Sequence, residues 1–168
     1  MKRIAILVED LFDDKELIYP YYRMLEEGFV VDLIGAEKGV NYKSKFGLLM
    51  KSDYASKEVS VNDYDAVIIP GGFSPDYMRR TQATVDFVKA FDQQKKPIAA
   101  ICHGPWLMIS SCQLKGKQMT GFFSVRIDIE NAGATYVDQE VVVDGHLITS
   151  RTPKDLPAFT KAIINHLK

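Results

Sequence analysis

Cysteine is scarce in this sequence: only Cys102 and Cys112 occur, ten residues apart. They form no disulfide framework, so a reduced, cytoplasmic setting is expected. Long apolar runs are missing too. The first apolar stretch, Ile4 to Val8, is too short for a signal-peptide core and meets Glu9-Asp10 at once. No run approaches the length that spans a bilayer, so no membrane partner is expected. Charge of one sign is also lacking: 21 Lys+Arg face 22 Asp+Glu, a net charge of -1, without a long basic or acidic block. That balance argues against a phosphate-tracking surface and against nucleic acid as an obligatory partner. No internal repeat, low-complexity tract or Gly/Ser linker divides the chain. With 168 residues, 46% hydrophobic and 26% charged, one domain over 1–168 is expected.

What is present is an alternation of short apolar runs with longer amphipathic ones, the pattern of a parallel sheet covered by helices. Ile4–Val8, Phe29–Ala36, Ala66–Pro70 and Pro97–Ile101 read as strands, the apolar ones buried on both faces. Lys15–Glu27 reads as a helix stopped by Gly28, and Thr84–Gln93 as one with Val85, Val88 and Phe91 on a single face. Pro105 opens another helix, to about Gln113, and Leu156 to the end is the last. Asp144-Gly145 between two apolar triplets predicts a hairpin. The polar region from Glu37 to Asp63 is expected to hold a small hairpin and a connection.

Ala100-Ile101-Cys102-His103-Gly104-Pro105-Trp106 carries the chemistry. A buried strand ends, a nucleophile follows, and a helix starts within three residues, which is the logic of a nucleophile elbow. Unpaired N–H groups at a helix start favour thiolate over thiol. Gly104 is expected to leave room for substrate against the backbone. The strand before Gly71-Gly72 ends in a tight turn. If it neighbours the Cys102 strand, the N–H groups of Gly72 and His103 form an oxyanion hole.

These segments, with Ile69-Pro70-Gly71-Gly72-Phe73-Ser74-Pro75-Asp76, resemble the DJ-1/PfpI superfamily. Phe12-Asp13-Asp14-Lys15-Glu16-Leu17-Ile18-Tyr19-Pro20, Asn131–Ala134, Val141–Asp144 and Thr149–Pro153 resemble its PfpI, YhbO-like branch, so the likeness covers nearly the whole chain. It implies a flavodoxin-like, doubly wound, mostly parallel sheet with helices on both faces and a small β-hairpin addition. It further implies Cys102 as nucleophile and His103 as its partner, acting as base, as orienter or through its backbone N–H. The acid that hydrogen-bonds the cysteine falls on Asp13, and a second acid, supplied by a neighbouring subunit to orient the histidine, falls on Asp76. Both are one methylene shorter than the usual Glu. A carboxyl sharing a partly dry pocket with the thiolate is expected to be driven toward its protonated form.

Other residues have plainer readings. Asp13 competes with Asp14 for the helix N-cap, with Asp14 the more natural cap. Glu9 and Asp10 read as loop charges, Cys112 as core packing, and Trp106 and Tyr19 as packing or pocket mouth. Arg151 supports either the active-site loop or an interface. His146 and His166 have no metal-ligand neighbours in sequence.

The leading reading is an enzyme acting on small reactive carbonyls, such as methylglyoxal or its amine and thiol adducts. No metal or organic cofactor is required, since the covalent adduct supplies the activation. An intracellular cysteine peptidase and a redox sensor oxidised at Cys102 are the alternatives. The branch also implies a homo-oligomer, dimer or hexamer, in which Asp76 crosses an interface.

Overall fold

A computed structural model describes residues 1–168. Eleven strands form in chain order: β1 (Arg3–Leu7), β2 (Val30–Gly35), β3 (Asn41–Lys43), β4 (Leu49–Lys51), β5 (Tyr54–Ala55), β6 (Ala66–Ile69), β7 (Ile98–Ile101), β8 (Gln118–Met119), β9 (Thr135–Tyr136), β10 (Val141–Asp144) and β11 (Leu147–Ser150). Six helices alternate with them: α1 (Asp14–Glu26), α2 (Ser74–Met78), α3 (Gln82–Gln93), α4 (Pro105–Ser111), α5 (Arg126–Asn131) and α6 (Leu156–Leu167).

The main sheet runs β10-β11-β7-β6-β1-β2-β5, parallel throughout except for the β10–β11 hairpin at one edge. This is a doubly wound sheet whose strand order reverses at β1, between β2 and β6. Alternation along each strand sends successive side chains to opposite faces. Ala5 and Leu7 of β1 therefore join Val88, Phe91 and Leu107 under α3 and α4. Ile4 and Ile6 join Leu17, Met24, Phe159 and Ile163 under α1 and α6. Burial on both faces is why β1, β6 and β7 read as continuous apolar runs.

The expected small hairpin is β3–β4, and Gly28 ends α1 at φ +81°. Two short helices, α2 and α5, and the β8–β9 pair fall in stretches too brief to show a period. Three strand ends matter for function. The loop after β1, the Pro70-Gly71-Gly72 turn after β6 and the Cys102 turn after β7 all lie at the carboxyl edge of adjacent strands.

Candidate active site

Cys102 has φ +62°, a left-handed backbone rare outside glycine, as a sharp strand-to-helix elbow requires. The turn is held on both sides: Cys102 N–H donates to Ser150 O at 3.0 Å, and Cys102 O accepts from Phe122 N–H at 2.9 Å. The sulfur lies 3.4 Å from His103 Nδ1. Phe122 stacks on the imidazole at 5.1 Å between centroids, and Trp106 meets its edge at 4.9 Å.

The carboxyl nearest the sulfur is Glu16, not the expected Asp13. Asp13 is the N-cap of α1, its Oδ1 accepting from Lys15 N–H and Glu16 N–H at 3.0 and 3.3 Å. Its Oδ2 pairs with Lys45 Nζ at 3.2 Å. Capping also departs from expectation in position, since Asp14 is the first helical residue and bonds Ser44 Oγ instead. An N-cap side chain folds back on its own helix, so Asp13 lines the pocket but is committed elsewhere. One turn on, the longer Glu16 reaches across to accept from Gly71 N–H at 2.7 Å. Asp13-x-x-Glu16 has the spacing of a capping box, and that was the available sequence signal.

The crowding is tight. A Cβ on Gly71 would lie 2.5 Å from Glu16 Oε2 and 3.0 Å from both Cys102 Cβ and His103 N. Glu16 Oε1 is buried without a hydrogen-bond partner, and the carboxyl shares the pocket wall with Cys102. Burial, reinforced by the Asp13 charge, pushes the Glu16 carboxyl up to about 8. Burial first, and then the charge of Glu16, push the Cys102 thiol well above its ordinary value. The His103 backbone N–H works in the opposite direction and is outweighed. The sequence expectation of a favoured thiolate is therefore reversed in the resting site. The two groups are coupled: while Glu16 keeps its proton it sets no charge against a thiolate, and once it ionises it holds the thiol proton on. His103 is held below its usual value, mainly by burial and secondarily by Lys45, and is neutral near pH 7.

The pocket in front of the sulfur has a volume of about 530 Å³, and Leu11, Gly72, Phe73 and Pro153 contribute to its walls. Gly71 N–H is taken by Glu16, whereas Gly72 N–H has no partner within the chain. Gly72, at φ +72°, and His103 thus offer the two backbone N–H groups expected to face an oxyanion. Gly104 does not line this pocket. A Cβ there would sit 2.7 Å from Ile69 O, so its role is close strand–helix packing.

Trp106 is likewise outside the pocket. Its Nε1–H donates to Asp128 at 3.0 Å, and it borders a separate groove with Arg79. Tyr19 lines a third depression between α1 and α6. Asp76 pairs with Arg80 at 2.6 Å and Arg79 at 3.5 Å, and makes no bond to the His103 of its own chain. Arg151 binds Asp155 and Asp138, bracing the loop that carries Pro153. Cys112 packs against the core under α3 and α4. No three His, Cys, Asp or Glu side chains are grouped to hold a metal ion, and no helix is long and apolar enough to cross a membrane.

An elbow cysteine, a histidine beside it and a buried carboxyl thus line one pocket. The family model described as DJ-1/PfpI family matches residues 2–166. A Bacillus subtilis protein named "Putative cysteine protease YraA" is 47% identical over 99% of both chains. "Deglycase PfpI" of Pyrococcus furiosus is 40% identical, again over 99% of both. A solved two-domain protein from Anabaena variabilis, with DJ-1/ThiJ/PfpI-like and ferritin-like domains, superposes with a TM-score of 0.97 at 45% identity. That match covers 99% of this chain and 48% of the longer one. Fold and sequence converge on one assignment: this chain belongs to the DJ-1/PfpI family.

Proposed function

We propose that the protein is a cysteine-dependent enzyme that converts small reactive carbonyls, of the methylglyoxal type, or their amine and thiol adducts. The observation that carries this reading is the Cys102–His103–Glu16 cluster at the floor of a pocket of about 530 Å³. Deglycase names among the relatives support it.

The geometry supports the following chemistry. Neutral His103 takes the thiol proton on Nδ1 as the sulfur attacks the aldehyde carbon. The C–S bond forms, and the carbonyl π pair moves to oxygen. Gly72 and His103 N–H groups receive the developing charge. Returning the proton from imidazolium to that oxygen gives a hemithioacetal. Moving the former aldehyde hydrogen to the neighbouring carbon, as a proton carried by His103 or Glu16, and the hydroxyl proton to the oxygen of that neighbouring carbon gives a thioester. Water then releases lactate and restores the thiol, so methylglyoxal and water balance lactate.

The name YraA supports a second reading, peptide hydrolysis by the same nucleophile. The walls at Phe73, Phe122 and Pro153 suit a small electrophile better than an extended chain. We further propose a homo-oligomer in which Asp76 of a neighbour stands near His103; exposed Tyr19, Tyr22 and Leu25 along α1 support a covered face.

The test is methylglyoxal consumption with product identification, by the protein and by Cys102→Ala. Lactate formation that disappears in the variant is expected. Absence of turnover, or turnover indifferent to the substitution, would reject the carbonyl reading. Cleavage of a fluorogenic peptide would then lead.

A further inference from the structure

The His103 ring has two nitrogens with different surroundings. Nδ1 faces the Cys102 sulfur at 3.4 Å, and Nε2 lies 3.5 Å from Ser124 Oγ. Ser124 belongs to no part of the constellation described above. It sits in a short segment that the site itself holds in place: Phe122 N–H donates to Cys102 O at 2.9 Å, and Val125 N–H donates to Phe122 O at 2.9 Å. Phe122 also stacks on the imidazole, at an interplanar angle of 29°. Tyr136 OH anchors the same segment by donating to Gly121 O at 2.9 Å. One stretch, 121–125, therefore sets both the plane of the ring and what meets its far edge.

A neutral imidazole carries one N–H, and what the far nitrogen bonds decides which one. To accept the thiol proton, Nδ1 must be bare. We propose that Ser124 is a positioning residue: its hydroxyl accepts from His103 Nε2–H and so leaves the Nδ1 lone pair aimed at Cys102. The assignment rests on reading Cys102 and His103 as a working pair. Asp76 has no such contact within the chain, being paired with Arg79 and Arg80. Ser124 does inside one chain what the family resemblance assigns to an acid across an interface. The separation is long for a resting hydrogen bond, and such contacts shorten when substrate closes a site.

The test compares the protein with Ser124→Ala, Ser124→Thr and Asp76→Ala. Nitrogen NMR of histidine-labelled protein reads the His103 tautomer, and iodoacetamide labelling followed by peptide mass reads Cys102 reactivity. Ser124 is exposed, so the alanine variant is expected to fold, with its thermal transition as the check. The wild type is expected to carry the proton on Nε2. Ser124→Ala should mix the tautomers and slow Cys102 alkylation about fivefold to tenfold, the worth of one neutral hydrogen bond. Ser124→Thr should restore both. An unchanged tautomer in Ser124→Ala, or a change seen only in Asp76→Ala, would overturn the assignment. Neither readout uses a carbonyl substrate. A tautomer change in a protein that leaves methylglyoxal untouched would discard the carbonyl reading and keep the role of Ser124.

Discussion

At the scale of single residues, the elbow places a side chain where backbone sterics disfavour one. Left-handed backbone costs an ordinary residue about 1 kcal/mol, and Cys102 holds it at φ +62°. Cys102→Gly and Cys102→Ala should both abolish turnover, yet the glycine variant should be the more stable, by about 1 kcal/mol in urea unfolding. Equal stability would mean that no strain is stored at the turn. Glu16 is the second informative position. Its folded carboxyl titrates at about 8, against about 4.3 in an unfolded chain. The folded state therefore binds that proton more tightly, and Glu16 subtracts stability progressively as pH rises between those values. Glu16→Gln should leave stability at pH 4 unchanged and raise it at pH 8. Turnover should fall by roughly 100-fold, as when a proton-transfer group is removed. Stability curves at both pH values check the first part, and kcat checks the second.

At the scale of elements, the end of the sheet opposite Cys102 depends on a buried pair. Asp92, near the end of α3, receives His146 Nε2–H at 2.7 Å and Gln113 N–H at 3.0 Å. It thereby joins α3, the end of α4 and the β10–β11 turn. Burial holds His146 below its ordinary value, although Asp92 pulls the other way. A depressed histidine must gain its proton mostly in the unfolded chain, so stability falls as pH drops through about 6.5. His103 contributes in the same direction. Asp92→Ala should cost about 2 kcal/mol at pH 7, because it leaves the buried His146 Nε2–H and the part-buried Gln113 N–H without their acceptor. A urea midpoint close to wild type would show that water satisfies them instead.

At the scale of the whole molecule, the remaining question is assembly. An acid at position 76 reaches a second chain's histidine only if chains associate. Sedimentation at micromolar concentration should show an oligomer. A monomer alone would remove any cross-subunit role for Asp76 and leave Ser124 as the sole contact at His103 Nε2. The pH behaviour of the folded molecule should combine both residue-scale slopes. The histidines His146 and His103 lower stability as pH falls below about 6.5. Glu16 lowers it as pH rises toward about 8, so Glu16→Gln should remove the second slope and leave the histidine slope in place.

The sheet and the elbow were legible in the amino-acid order alone. Buried parallel strands must be apolar on both faces, and a nucleophile between such a strand and Gly104-Pro105 leaves little choice of local structure. It also showed the hairpin at Asp144-Gly145 and the paired glycines after β6, because turn chemistry is local. Which acid stands behind Cys102 depends on packing between distant segments. Asp13 and Glu16 are three positions apart, and both are compatible with the strand-to-helix loop. Side-chain length and the direction of the helix axis give the first to the cap and the second to Gly71. The same holds for Gly104 and Trp106, whose neighbours come from other strands and helices. The tertiary structure likewise decided the direction of the thiol's titration. Burial and a carboxyl from a distant helix outweigh the N–H groups visible in the motif, and desolvation is a property of the packed molecule rather than of seven consecutive residues.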